Sequence, residues 1–416
     1  MWAINSSVLH FAPYAARDSM APVLSREFLL VAACSIWPPS QRRTDAIRKA
    51  AAGSIDWDRF LRVVRRHRVV GLVHDGLSRA QIGVPPDIAR KIAEQAAATT
   101  RENLALAAEA VRLQSLFGEA NLPIAFVKGV SLAKLAYGDL GLRHGKDLDL
   151  LVTPQSFPAA AVLVERAGYR RFDPPAEISD AQFRLLMPMR KDFRYVHEDS
   201  QRELELHWRL FLNPHFMNET SLLGSSRIVP LSGNIGVRTL GEEDLFIYLC
   251  AHGALHWWYQ LKWLADVGAL LVSGPPSSVE RHYRAAEARG LGRPAALAIL
   301  LCHRLLDTEV PDGLLATFRA STTLRWLEST ALSAITAGKG EIEPRDVVFG
   351  TTRGSLSCFL LRQNWRYWLA ELKLHSVCEA DVLTVSLPAR MRFLYPLLRL
   401  PLWLWRHRAR PVSSPQ

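Results

Sequence analysis

The stretch LPIAFVKGVSLAKLAYGDLGLRHGKDLDLLV, Leu122 to Val152, decides how this chain reads. It parses as strand, tight turn, short helix and second strand. Pro123 to Val127 is an apolar run closed by Lys128-Gly129 and predicts the first strand. Lys146 to Val152 predicts the second, with Asp147 and Asp149 interleaved among leucines. Side chains along a strand alternate between faces, so the two carboxylates point the same way. Like charges held so close repel, and their oxygens suit a hard divalent ion, Mg²⁺ or Mn²⁺. An isolated Asp-x-Asp pair is equally compatible with a solvated strand face. The flanks favour chemistry. Leu148, Leu150, Leu151 and Val152 make the strand mostly buried, and Lys128-Gly129 sits where a strand feeds a helix. Glycine lets the backbone approach a phosphate closely, and helix N-terminal amides favour anions.

These residues resemble the polymerase-β-like nucleotidyltransferase superfamily. Within it they are most similar to a branch of uncharacterised nucleotidyltransferases, in which a Lys-Gly turn, a Tyr-Gly pair and an arginine precede Asp-x-Asp-Leu-Leu-Val. Here those are Lys128-Gly129, Tyr137-Gly138, Arg143 and Asp147 to Val152. The wider superfamily has Gly-Ser in the turn. This chain has Lys128-Gly129-Val130-Ser131, with the serine displaced and a longer spacing to the aspartates. The resemblance implies an α/β (α+β) core with a small mixed sheet. It also implies transfer of a nucleoside monophosphate from an NTP, ATP foremost, with pyrophosphate leaving. Asp147 and Asp149 are then metal ligands, and Lys128, Gly129, Ser131 and Arg143 hold the nucleotide.

Such chemistry needs a third carboxylate on a neighbouring strand. Phe193 to Val196, the polar tip Glu198-Asp199-Ser200 and Glu203 to Leu210 predict a β-hairpin. Its second arm alternates cleanly, so Glu205 and His207 share a face. Glu205 is the candidate third ligand, and the resemblance covers Glu205-Leu206-His207-Trp208. In the competing reading Glu205 pairs with Arg194 or Arg202 on the hairpin surface. Glu203 offers a rival carboxylate on the same face.

Leu245 to Leu271 predicts one long or slightly broken helix. His252, His256, Tyr259, Trp263 and Asp266 fall on one face of it, and the resemblance extends through them and Lys262. A polar stripe in an apolar helix must meet partners, since a buried unpaired polar group costs about 1–3 kcal/mol. Either the stripe walls the pocket, with Tyr259 and Trp263 stacking on a base, or it is a histidine–aspartate network tying helices together. A zinc protease is excluded, because His252-Gly253-Ala254-Leu255-His256 lacks a glutamate after the first histidine.

The rest of the 416 residues reads as a helical body around that core. Residues 1–19 form a possible disordered extension, with Met20 as an alternative start. A helical N-terminal region covers 20–115, the core 116–213, a helical domain 214–335, and a C-terminal helical, basic and aromatic tail 336–416. Pro275-Pro276 reads as a linker, and Ala337 to Arg345 as a loop. His67 reads as a packed or capping histidine. Pro396 and Pro401 argue against a continuous helix in the tail. The tail either packs on the body or lies on an anionic membrane surface.

Composition is globular, with 49% hydrophobic and 22% charged residues. The net charge of +11 fits a polyanionic partner, though no nucleic-acid-binding module is recognisable. Five widely spaced cysteines without Cys-x-x-Cys read as reduced thiols of a cytoplasmic protein, with the tail touching the inner membrane in the surface-bound case. No apolar run is long enough to span a membrane, and no P-loop or Gly-x-Gly-x-x-Gly is present. The acceptor, whether small molecule, peptide or protein, is not written in the sequence. A non-catalytic nucleotide-binding or scaffold protein on the same fold is the alternative.

Overall fold

The computed structural model describes residues 24–175, 186–274, 277–343, 352–377, 379–385 and 387–408. The expectations for Met1 to Ser19 and for Pro275-Pro276 fall outside them. Helices α1 (Arg26–Cys34), α2 (Gln41–Ala51), α3 (Trp57–His67) and α4 (Val70–Ala80) pack together, and the 34-residue α5 (Pro86–Glu119) carries the chain into the sheet. The core motif follows as β1 (Ala125–Phe126), α6 (Val130–Tyr137) and β2 (Asp147–Leu151). Next come α7 (Phe157–Arg166), β3 (Tyr169–Asp173), β4 (Asp192–His197), β5 (Glu203–His207), β6 (Arg227–Ser232) and β7 (Ile235–Thr239). The helical body then comprises α8 (Glu242–Leu255), α9 (Leu261–Val272), α10 (Ser278–Ala288), α11 (Gly292–Leu306), α12 (Asp312–Ala320) and α13 (Thr322–Ile335). The chain ends in α14 (Thr352–Cys358), α15 (Trp365–Ser376), α16 (Glu379–Thr384) and α17 (Tyr395–Arg408).

The strands form one mixed seven-stranded sheet in the order β3-β4-β5-β2-β1-β7-β6. β1 lies antiparallel to β2, with Phe126 opposite Leu150, while β2 and β5 run parallel. Period-two alternation gives the sheet two unlike faces. Leu148 and Leu150 of β2, Leu204 and Leu206 of β5, and Phe193 and Tyr195 of β4 turn into a core with Leu106, Leu113 and Phe117 of α5 and Phe157 of α7. Asp147, Asp149, Glu205, His207 and Asp192, out of phase with those residues, share the opposite face. The larger second core lies among the helices and includes Leu151, Val127 and Leu132.

Three expectations differ from the fold. The first strand is shorter than Pro123 to Val127, because the chain turns into α6 right after its pairing with β2. Residues beyond Pro214 do not go straight into helix. The β6–β7 hairpin completes the sheet, with Phe126 beside Thr239 in a parallel pair. Of the two forms expected for the helix from Leu245, long or slightly broken, the chain takes the broken one, between α8 and α9. There Trp257 and Trp258 both adopt φ of +54°, and the Trp258 ring lies where a side chain on Gly253 would clash. His67 is fully buried, and its Nδ1 accepts the Leu261 amide at 3.1 Å, capping the start of α9. In the tail, α17 runs through Pro401 as one helix, with Pro396 in the first turn, where a missing N–H costs little. Its described side chains are largely exposed, among them Leu397 and Trp405. Cys34, Cys250, Cys302 and Cys358 are buried free thiols. No helix among the described residues is long and apolar enough to cross a membrane.

Candidate active site

The parallel pairing of β2 with β5 sets Asp149 directly opposite Glu205, and Asp147 opposite Glu203. Residues some fifty positions apart thus meet on one face. Asp149 is 1% exposed, while Asp147 and Glu205 are partly open to solvent. The Lys128 ammonium, at the end of β1, stands 2.9 Å from Asp149 Oδ1. His207 Nε2 lies 3.4 Å from the same oxygen and 3.3 Å from Glu205 Oε2. His207 Nδ1 lies 3.5 Å from Asp192 Oδ2, which also pairs with Lys191 at 2.8 Å. Ligand atoms of Asp149, Glu205 and His207 all fall within 4.8 Å of one another. These contacts are close but poorly aligned as hydrogen bonds. Both oxygens of Asp149 and both ring nitrogens of His207 are buried without a well-directed partner.

Charge in this cluster is strongly coupled. Burial pushes Asp149 up, but Lys128 and then His207 hold it well below the usual carboxylate range. Burial and then the Asp149 charge push Asp147 up. Burial is the largest influence on Lys128 and opposes its charge, yet Asp149, Tyr248, Asp147 and Glu205 together outweigh it, so the ammonium persists well above the ordinary lysine range. For His207, burial and Lys191 oppose protonation, Asp149, Glu205 and Asp192 favour it, and the balance is upward.

The turn before α6 is shaped by Gly129, whose φ of +75° and ψ of −130° suit glycine alone. No side chain caps α6 there, so its first amides remain available to an anion. A profile of a family described as "uncharacterised nucleotidyltransferase" matches residues 53–307, more than half of the chain. The chain belongs to this family. A search of curated proteins finds no match.

Two of the residues expected at the nucleotide have partners inside this nucleotidyltransferase family member. Ser131 was expected at the triphosphate, but its side chain is fully buried, and Oγ donates to the carbonyls of Phe126 and Lys128 at 3.3 and 3.2 Å. The displaced serine closes the turn from behind. Arg143, also expected there, is buried and engaged: Nε lies 3.0 Å from both oxygens of Asp266, and Nη1 reaches the Gly129 carbonyl at 3.4 Å. Tyr137 donates to the same carboxylate at 3.1 Å. Arg143 and Asp266 therefore brace the glycine turn.

The polar stripe splits at the helix break. Asp266 goes to that brace, while His252, His256, Tyr259 and Trp263 form a ring cluster, with Tyr259–Trp263 centroids 4.8 Å apart and His256–Trp263 5.4 Å. His252 feels Lys128 and Asp149, and burial, then His256, holds it well below an ordinary histidine. The cluster thus stands within electrostatic reach of the carboxylates. Burial, then the Arg143 charge, brings Lys262 down to about 7, and its Nζ donates to the His144 carbonyl at 3.3 Å. Glu203 is drawn to the surface by Lys146 at 3.1 Å and Arg194 at 2.9 Å. Arg194 also lies 3.7 Å from Glu205.

Tyr248, Asp192 and Lys191 escaped the sequence reading. Burial raises the Tyr248 hydroxyl, and the charges of Lys128, Asp149, Glu205 and Asp147 all reach it. It sits one helical turn before His252, so extending that stripe backward would have found it. Asp192 alternates with Phe193 at the start of β4, in phase with Glu205 across the hairpin.

Proposed function

We propose that the protein transfers a nucleoside monophosphate from an NTP, ATP foremost, to an acceptor nucleophile with release of pyrophosphate. The observation that carries this reading is the register of β2 and β5, which sets Glu205 opposite Asp149, with Asp147 two residues earlier on the same face. Buried oxygens of Asp149 without aligned partners, gathered with Glu205 and His207, fit a divalent cation. Asp147, Asp149 and Glu205 would hold Mg²⁺ or Mn²⁺, with His207 Nε2 adjoining. When bound, such ions neutralise charge on the attacking and departing oxygens of an in-line displacement.

The remaining work falls to the chain. Lys128 keeps Asp149 ionised and offers a fixed positive charge to the phosphates. The Gly129 turn and the first amides of α6 take phosphate oxygens, and Arg143 acts by holding that turn through Asp266. Glu205, partly open to solvent, accepts the acceptor's proton. Trp263 and His256, half-buried at the ring cluster, flank the base, with Tyr259 behind them. Lys262, His252 and Tyr248 complete that wall. Buried thiols support a cytoplasmic location, and the exposed apolar side chains of α17 support peripheral contact with the inner membrane.

A second reading, a non-catalytic nucleotide-binding or scaffold protein, is favoured by one observation: Lys128 already neutralises Asp149 while Ser131 is turned inward. Purified protein incubated with labelled NTPs, Mg²⁺ and cell extract separates the two. Transfer predicts pyrophosphate and a new NMP adduct by mass spectrometry, both absent with Asp149→Asn. Calorimetric binding of ATP with no pyrophosphate across many acceptors would sink the enzyme and leave the scaffold.

A further inference from the structure

We propose that the cleft at the C-terminal ends of β2 and β5 binds an amphiphilic anion, a phosphate or carboxylate head on a single apolar chain. Two adjoining cavities make it up. One, of about 590 Å³, is lined by Thr153, Arg209, His215, Glu219, Arg362 and Arg366 among others. The other, of about 920 Å³, is lined largely by apolar side chains, including Leu212, Trp365, Leu369, Leu374 and Val382. They share Arg209, Pro214, His215 and Arg366, so a cationic chamber opens directly into an apolar groove.

The arginines have charge to offer. Arg209 donates to the carbonyls of Arg190, Met187 and Pro188 at 2.9 to 3.0 Å. Arg362 donates to the carbonyls of His215, Phe216 and Arg289. Arg366 rests over the Trp365 ring, 5.4 Å from its centre. Carbonyls fix a guanidinium plane without cancelling its charge, and an oriented guanidinium fork suits a carboxylate or phosphate. Glu219 is the one carboxylate lining this chamber, and its oxygens accept the Leu210 and Phe211 amides at 2.6 and 3.2 Å. It is therefore turned to the strand end. Asn364 caps α15 at the same place, adding the positive end of a helix to the chamber.

On the groove side, Trp365 is 63% exposed and Leu369 58%. Large apolar side chains left to water along a groove mark a binding surface. Charge complementarity fixes the occupant. Glu219 offsets part of the Arg209 charge, so a bare anion leaves these apolar side chains wet, and an uncharged chain leaves Arg362 and Arg366 without an anion. This cleft lies apart from the clustered carboxylates, and its binding does not depend on NMP transfer.

Calorimetry on the full-length protein tests it with dodecyl phosphate below its micelle concentration, ethyl phosphate as the tail-free control and dodecanol as the head-free control. Dodecyl phosphate is expected to bind with one-to-one stoichiometry, at least about tenfold tighter than either control. Arg366→Gln and Leu369→Asn, both exposed on α15 and checked for unchanged thermal unfolding, should each weaken it about fivefold or more. Ethyl phosphate binding as tightly as dodecyl phosphate would reduce the site to a simple anion cleft and overturn the proposal. So would dodecyl phosphate binding that neither variant weakens, since that is non-specific detergent uptake. Co-sedimentation with phosphatidylglycerol vesicles without any dodecyl phosphate binding would reassign the surface to membrane contact and also overturn it.

Discussion

Leu148, Leu150 and Leu206 turn from β2 and β5 into a dry core roofed by α5 and α7. Asp147, Asp149 and Glu205, one step out of phase on the same strands, turn the other way into a charged cluster around Lys128 and His207. The two faces share a backbone and little else. One is held by burial of apolar area. The other holds buried charge that only a close cation makes tolerable. Stability and chemistry are thus separable at adjacent residues, and substitutions can pull them apart.

The largest separation is expected at Asp149. Asp149→Asn should lower pyrophosphate release by about a thousandfold or more while the fold persists, read by steady-state assay beside thermal unfolding. Retained turnover would dissolve the contrast between the faces. Its neighbour Leu150, fully buried, should behave in the opposite sense. Leu150→Ala is expected to cost about 2–5 kcal/mol in urea unfolding with turnover per folded molecule little changed.

Glu219, beyond the strand ends, sharpens the contrast through pH. Burial, against the amides of Leu210 and Phe211, raises its carboxyl from 4.5 to about 7. The folded chain holds that proton more tightly than the unfolded chain. The resulting stability is full below pH 4.5 and is lost as pH rises through about 7. Glu219→Gln should flatten the fall in urea midpoint across that window, whereas an unchanged slope would remove Glu219 as its source. The smallest effect belongs to Glu203, on the reactive face but paired outward with Lys146 and Arg194. Glu203→Gln should shift stability by no more than about 1 kcal/mol and turnover by less than about twofold. A large loss there would mean that the reactive cluster extends further along the sheet.

What was legible in the sequence was whatever depends on short-range period. Five alternating residues in β2 and five in β5 are enough to assign both faces, and the polar tip at Glu198 to Ser200 marks the β4–β5 hairpin, whereas the parallel register of β2 on β5 is a long-range pairing. What was not legible depends on who packs against whom. Ser131 and Arg143 have the residue types of phosphate ligands, and only the tertiary positions of Thr239 and Asp266 turn them inward. The place of the break between α8 and α9 hides in an apolar run that reads as one long or slightly broken helix. The Trp258 ring on Gly253 and the His67 cap on Leu261 decide it, one local and one from almost two hundred residues away. The β6–β7 hairpin is faint in the sequence because Pro230 interrupts an already short run at the sheet edge.

The two-residue strand β1 has a consequence for anyone wishing to pare the protein down. It is walled by β2 on one side and β7 on the other, and Thr239 Oγ1 donates to the Phe126 carbonyl across that seam at 2.6 Å. Ending the chain near Asn213, where the carboxylates are already complete, would strip that wall and leave a raw sheet margin inviting self-association. A shortened chain that stays monodisperse must carry the later hairpin along, although the clustered carboxylates Asp147, Asp149 and Glu205 all lie before it.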